Sequence, residues 1–307
     1  MIYTLCINPS LDYVTFVKDF NEGEVNRSYL DATYPGGKGI NVSTILSRLG
    51  VDNIALGFLA GFSGKEVETL VNKRGIKNDF IYLEDGATRI NVKLKAHVES
   101  EINAVGPTIK DEEFNDLLKK LSTINSGDIL VLAGSVPACL SDSTYANIMN
   151  SLKNNEIKFI IDATSKLMSS ALIYHPYLIK PNLEELSEMV DKILHSTEDV
   201  IDAAKEMQSK GAQNVLVSLG SSGAILVTSD NQVFESVAPC GQLVNSTGAG
   251  DSMLAGFISA ILDGANYQDA LTFSVSCGSA TAFTSDLATK KQMKELYENL
   301  KNNCDAM

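Results

Sequence analysis

Short apolar runs recur along the chain, with helical patterns between them. The clearest cover residues 2–7, 54–59, 129–133, 158–162, 178–180, 215–219 and 224–227. Runs of this length without polar alternation are the mark of strands buried on both faces. Apolar residues at helical spacing fill the intervals, over 65–73, 111–121, 143–153, 183–190 and 202–210. Beyond residue 250 the pattern stays helical, over 251–262, 267–283 and 290–301. Strand and helix in regular alternation predict crossover units on a mainly parallel sheet with a helical layer on each side. The expected fold class is therefore a three-layer α/β domain.

Two segments depart from that rhythm. Residues 10–35 and 88–105 are richer in polar residues and alternate, as in Ile90-Asn91-Val92-Lys93-Leu94-Lys95. Alternation predicts strands with one solvated face. These segments are expected to form a small β-sheet lid inserted into one domain that spans 1–307, over the carboxyl ends of the main strands. Ligands of open α/β sheets bind at those ends.

Bulk properties narrow the partners. A net charge of −13 over 307 residues argues against nucleic acid and against a membrane surface, both of which select for excess Lys and Arg. No run of about 18 apolar residues occurs, so no membrane-spanning helix is expected. The N-terminus has neither a basic region nor a cleavage site, and a cytoplasmic address is the expectation. The five cysteines, at 6, 139, 240, 277 and 304, include no C-x-x-C pair. They read as thiols in a reducing compartment, with no disulfide frame and no zinc site.

Candidate chemistry begins with what is missing. There is no G-x-x-x-x-G-K-[ST] loop, no G-x-G-x-x-G after the first strand and no G-x-S-x-G elbow. Instead, Asn245-Ser246-Thr247-Gly248-Ala249-Gly250-Asp251 runs straight into an apolar helical stretch. A helix start alone would explain the hydroxyls and the acid. Two glycines add something further, because they let backbone N–H groups approach an anion at the helix N-terminus. Asp251 in the same turn can accept a proton from a nearby hydroxyl. A second stretch, Pro35-Gly36-Gly37-Lys38-Gly39-Ile40-Asn41, precedes a helical pattern over 44–49 and joins close-approach glycines to a cation and an amide. A plain turn would account for its glycines only.

Residues 36–50 and 245–257 resemble the two signature regions of the ribokinase-like carbohydrate kinases, the phosphofructokinase B family, in the expected order and spacing. The resemblance implies a three-layer α-β-α core with a β lid, and transfer of the ATP γ-phosphate to a sugar hydroxyl with Mg²⁺. A monovalent cation is a further candidate. It also implies that Asp251 is the base and that the amides of Gly248, Ala249 and Gly250 form an anion hole. Asp12, Gly37, Lys38 and Asn41 are similar to the family's sugar contacts. Lys180-Pro181-Asn182-Leu183-Glu184-Glu185 resembles the N-x-x-E segment, with Asn182 and Glu185 near the metal through water and Lys180 near the nucleotide. Asn followed by Glu three residues on is equally a capping box. Ser218, Gly220 and Gly223 resemble the nucleotide-binding turn, for which a tight hairpin is the plainer reading.

Only four arginines occur, at 27, 48, 74 and 89, and two of them fall in the expected lid. Fixed cations are what a sugar phosphate requires and a neutral sugar does not. Arg27 and Arg89, with Lys38 and a hydroxyl from Ser135, are therefore candidate contacts to a phosphorylated ketohexose. The stretches 34–42, 88–95 and 101–109 are similar to the 1-phosphofructokinase branch of the family. That similarity implies phosphorylation of fructose 1-phosphate at O6, and tagatose 6-phosphate is the near alternative acceptor. An oxidoreductase on the same scaffold and a non-catalytic sugar-phosphate-binding protein are the rivals from other classes. A homodimer through the half-exposed lid is also expected.

Overall fold

The buried runs become the central sheet. The computed structural model describes residues 1–304. Its large sheet is ordered Val233–Ser236, Ala224–Val227, Asn214–Ser218, Leu178–Ile179, Lys158–Asp162, Ile129–Ala133, Ile2–Cys6, Asn53–Leu59 and Lys77–Asn78. Pairing is parallel from Asn214–Ser218 to Lys77–Asn78 and antiparallel at the Ala224–Val227 edge. Side chains alternate between two cores. In Ile129–Ala133, Leu130 and Leu132 face one helical layer, whereas Ile129, Val131 and Ala133 face the other. The first layer contains Asp111–Leu121, Thr144–Ser151 and Thr197–Ser209. The second contains Lys38–Leu49, Ala249–Leu262 and Tyr267–Ala282. This is the expected three-layer arrangement.

The two polar segments pair as a separate four-stranded sheet, ordered Leu30–Gly36, Ser10–Phe16, Arg89–Lys95 and Ser100–Ile102. Its register sorts the side chains. Ser10 pairs with Arg89, Asp12 with Asn91 and Val14 with Lys93, which puts those residues on one face. Leu11, Tyr13, Ile90, Val92 and Leu94 take the other, and Ile102 joins them opposite Val92. The sheet thus has a polar face over the main strand ends, while its other face packs Leu11 into the core and leaves Ile90 and Ile102 exposed.

Some boundaries differ from the sequence pattern. The first helix starts at Lys38 rather than near 44, because Gly37 adopts the non-helical N-cap backbone (φ 112°) and the polar first turn interrupts the apolar period. The helix expected from 202 starts at Thr197, where Ser196 and Asp199 form a reciprocal capping box. The edge strand Val233–Ser236 was not anticipated, since its half-buried side chains form no apolar run. The thiols of Cys6, Cys139, Cys240 and Cys277 are unpaired, and the expectation for Cys304 lies outside the described side chains. Among the described residues no helix is long and apolar enough to cross a membrane.

Candidate active site

Parallel strands deliver their carboxyl ends to one edge of the sheet, and a cleft of about 620 Å³ opens there beneath the lid. Cys6, Ser135, Asp162, Lys180 and Ser218 come from the strand ends, Asp12, Arg89, Asn91 and Lys93 from the lid. Gly37, Lys38 and Asn41 enter from the first helix, and Gly248, Gly250 and Asp251 from the Ala249–Leu262 helix. A second, more apolar cavity of about 700 Å³ adjoins it, walled by Ala238, Leu243, Val275 and Phe283 and including Gly220 and Ala249. Asn182, Ser218 and Gly250 line both. The two cavities therefore meet at one helix N-terminus.

That terminus is shaped by Gly248, the N-cap, whose left-handed backbone (φ 78°) turns the chain into the helix. No side chain caps it, so its first-turn amides lack intrahelical acceptors and face the junction. Ala249 N–H reaches back to Ser246 O at 3.3 Å. The cradle expected over 248–250 therefore rests chiefly on the two glycines. Asp251 is in the first turn and buried, its Oδ2 accepting from Asn41 Nδ2 at 2.8 Å. Asn41, expected as a sugar contact, is thus the partner that orients the candidate base.

Beneath Asp251 lies a charge network the sequence did not reveal. Asp162, fully buried, accepts from Lys38 Nζ at 2.7 Å and pairs with Lys180 Nζ at 2.9 Å. Burial opposes the Asp162 charge, but Lys180 and Lys38 outweigh it and hold the carboxyl below its ordinary value. Burial likewise opposes the charge on Lys38, yet Asp162, Asp251 and Glu185 raise its pKa well above the usual lysine range. Burial first, then the neighbouring Asp162, push Asp251 up to about 6, against the opposing pull of Lys38, Asn41 and Lys180. A carboxylate poised near neutrality beside helix amides that no side chain caps is suited to general-base work.

On the lid side of the cleft, Asp12 Oδ1 accepts from Ser10 Oγ at 2.6 Å and from Asn91 Nδ2 at 3.0 Å. Gly36 is what makes room for this: a Cβ there would lie 2.4 Å from Ser10 Oγ and 2.5 Å from the Asp12 carboxylate. Arg89 donates from Nε to Asn8 O at 3.1 Å and from Nη1 to Ala104 O at 3.4 Å, which fixes its guanidinium in the cleft wall.

Two expected residues are placed elsewhere. Arg27 stands exposed in the 17–29 loop of the lid and lines neither cavity. Gly223 lines neither cavity, and its positive φ serves the hairpin between Asn214–Ser218 and Ala224–Val227, where it packs against Ser236 O. Asn182 and Glu185 do form the capping box, with Asn182 Oδ1 accepting from Glu185 N at 2.7 Å and Glu185 Oε2 from Asn182 N at 2.9 Å. They line the cleft at the same time. Among the described residues no cluster of three or more His, Cys, Asp or Glu could enclose a metal. Asp162 Oδ2 is taken by Lys180, but Glu185, which lines the cleft with Oε1 3.9 Å from Lys38 Nζ, suits a hard cation that keeps its waters and leans on phosphates.

A polar cleft, a buried carboxyl and an uncapped helix N-terminus converge on one point, an arrangement suited to phosphoryl transfer. Residues 3–292 match the pfkB family of carbohydrate kinases, and the chain belongs to that family. It is 42% identical to the 1-phosphofructokinase of Bacillus subtilis (strain 168), over 98% of this chain and 99% of that one. It is 35% identical to the D-tagatose-1-phosphate kinase of Bacillus licheniformis, over 96% and 97%. Among solved structures, phosphofructokinase-2 of Escherichia coli in complex with substrates and products superposes with a TM-score of 0.93 at 29% identity, covering 98% of this chain and 99% of that one.

Proposed function

We propose that this kinase transfers the γ-phosphate of ATP to O6 of fructose 1-phosphate, giving fructose 1,6-bisphosphate. The observation that carries the reading is the junction of a polar and an apolar cavity at Gly250, the residue next to Asp251. The purine lies in the apolar cavity, beside Ser218, Gly220 and Phe283, and its phosphates extend toward the helix N-terminus. The ketose lies in the polar cleft, with hydroxyls at Asp12, Gly37 and Asn41 and its C1 phosphate against Arg89 and Ser135. Asp251 takes the proton of O6 as that oxygen attacks, and the Gly248 and Gly250 amides and Lys38 stabilise the charge spreading over the γ-phosphoryl oxygens. Asn182 and Glu185, both lining the cleft, would hold Mg²⁺ through water, and the ion would supply neutralisation of phosphate charge. Lys180 supports the nucleotide phosphates through its pairing with Asp162, and a potassium-dependence assay tests the monovalent cation.

Two relatives named 1-phosphofructokinase, at 42% and 41% identity, against 35% for a tagatose-6-phosphate kinase, support fructose 1-phosphate over tagatose 6-phosphate. A homodimer through the lid belongs to the same reading, supported by the apolar outer face of Ile90, Val92, Leu94 and Ile102. An ADP-release screen over fructose 1-phosphate, fructose 6-phosphate, tagatose 1-phosphate, tagatose 6-phosphate and the free ketoses tests the acceptor. Fructose 1-phosphate is expected to give the highest kcat/KM. A higher value for a C6 phosphate would overturn the assignment.

A further inference from the structure

One side chain in the cleft has no role in the chemistry so far. Lys93 lies on the polar face of the lid, and only 9% of its side chain is exposed. Its Nζ stands 3.2 Å from Asp12 Oδ2, 3.3 Å from Thr247 Oγ1 and 3.8 Å from Glu101 Oε1. Asp12 belongs to the lid, whereas Thr247 immediately precedes Gly248, the cap of the helix that carries Asp251. The ammonium thus connects two segments 235 residues apart, at 12 and 247. Lys93, Asp12, Asn41 and Thr247 also form the wall between the cleft and a third cavity, of about 230 Å³, behind it.

We infer that Lys93 is a positioning residue that couples sugar binding to phosphoryl transfer. Both oxygens of Asp12 are held, Oδ1 by Ser10 and Asn91 and Oδ2 by Lys93. The carboxylate therefore has one orientation toward the cleft, and among the described residues Lys93 supplies the only cation among its contacts. An ammonium has three N–H donors in rotatable geometry. One directed at Asp12 and one at Thr247 fix the lid against the loop that sets the Gly248 cap. When a sugar engages Asp12, the same ammonium fixes the distance between its hydroxyls and the anion cradle. A displacement of about 1 Å at such a point costs on the order of 10²-fold in rate.

The inference rests on the sugar-binding role of Asp12, so the experiment includes Asp12→Ala. Steady-state kinetics with fructose 1-phosphate and ATP are measured for Lys93→Met, Lys93→Arg, Thr247→Val and the Lys93→Met/Thr247→Val double variant, with thermal melts alongside. Loss of a buried charge-assisted contact predicts a rise of about tenfold or more in sugar KM for Lys93→Met. Its kcat falls as well, and the KM for ATP stays put. Thr247→Val lowers kcat and leaves sugar KM unchanged. The double variant has no lower kcat than Lys93→Met alone, because both changes remove the same tie. Lys93→Arg recovers part of the lost sugar affinity. A merely structural lysine would instead lower the melting temperature and the active fraction at unchanged sugar KM, and that result overturns the inference. Additive effects on kcat overturn it too. If Asp12→Ala leaves sugar KM unchanged, the sugar-site reading fails and the inference with it; if only Lys93→Met does, the inference fails alone.

Discussion

Replacing Asp251 by Asn should produce an enzyme that is nearly inactive and more stable. The carboxylate is buried, and its pKa rises from an ordinary 3.8 to about 6, through burial first and Asp162 second. The folded chain therefore holds the Asp251 proton more tightly than the unfolded chain does. This group favours the folded state fully below pH 3.8, and that contribution is lost as pH rises through about 6. At neutral pH the charged carboxylate costs about 3 kcal/mol, the free-energy equivalent of the rise from 3.8 to about 6. An amide at 251 removes the charge and keeps an oxygen for Asn41 Nδ2, the 2.8 Å partner in the native protein. Up to that amount of stability should return, visible as a melting temperature raised by a few degrees at pH 7.5 and unchanged near pH 4. Loss of general-base assistance should lower kcat by about 10²–10⁴-fold, with sugar KM little altered. In the native enzyme kcat/KM should climb with pH along a limb centred near 6. Calorimetry at two pH values and a coupled ADP assay from pH 5 to 8 read all three. Turnover within a few-fold of the native enzyme, or a lower melting temperature at pH 7.5, would refute the reasoning.

Asp162→Asn should move that acidic limb below pH 6, because Asp162 raises the Asp251 pKa while the two lysines it leaves behind lower it. The same change leaves Lys180 buried without its carboxylate partner and should destabilise the fold by about 3–5 kcal/mol in a denaturant titration. Gly36→Ala sets a Cβ within 2.5 Å of the Asp12 carboxylate and should raise sugar KM with little effect on ATP KM; a native KM would show that Asp12 tolerates the displacement. Arg89→Ala should raise the KM for fructose 1-phosphate by about tenfold or more, and an unchanged value would put the C1 phosphate elsewhere. For the lid, the double substitution Ile90→Asp with Ile102→Asp should convert a dimer to a monomer in analytical ultracentrifugation, whereas a monomeric native protein would end the proposal.

The fold was legible wherever burial alone sets residue type. Ile129–Ala133, Lys158–Asp162 and Ala224–Val227 have the bounds expected from the sequence pattern, because a strand covered on both faces keeps an apolar centre. Legibility failed where function interrupts the pattern. Lys38 and Asn41 sit in the first helical turns and face the cleft, so the apolar period starts only after them. Asp251 and its glycines were readable because the motif is local. Asp162 was not: it ends an apolar strand like any polar punctuation, and its lysines lie at positions 38 and 180. Lys93 was hidden in a regular alternation that fits any half-solvated strand. Its partners, Asp12 and Thr247, are set by the pairing of the lid and by its closure over the helix, neither of which leaves a local trace.

The register of Arg89–Lys95 divides one strand into two independent lines of inheritance. Positions 89, 91 and 93 look into the cleft, and positions 90, 92 and 94 look out of it. Substitutions at odd positions can reshape the cleft while the outer surface keeps its character, and changes at even positions can alter that surface without touching the cleft. Lengthening or shortening the strand by one residue has no such freedom. It would exchange the two faces in a single step, putting Ile90 and Val92 among the sugar hydroxyls and the charged groups in solvent, so this strand can drift in composition but not in length.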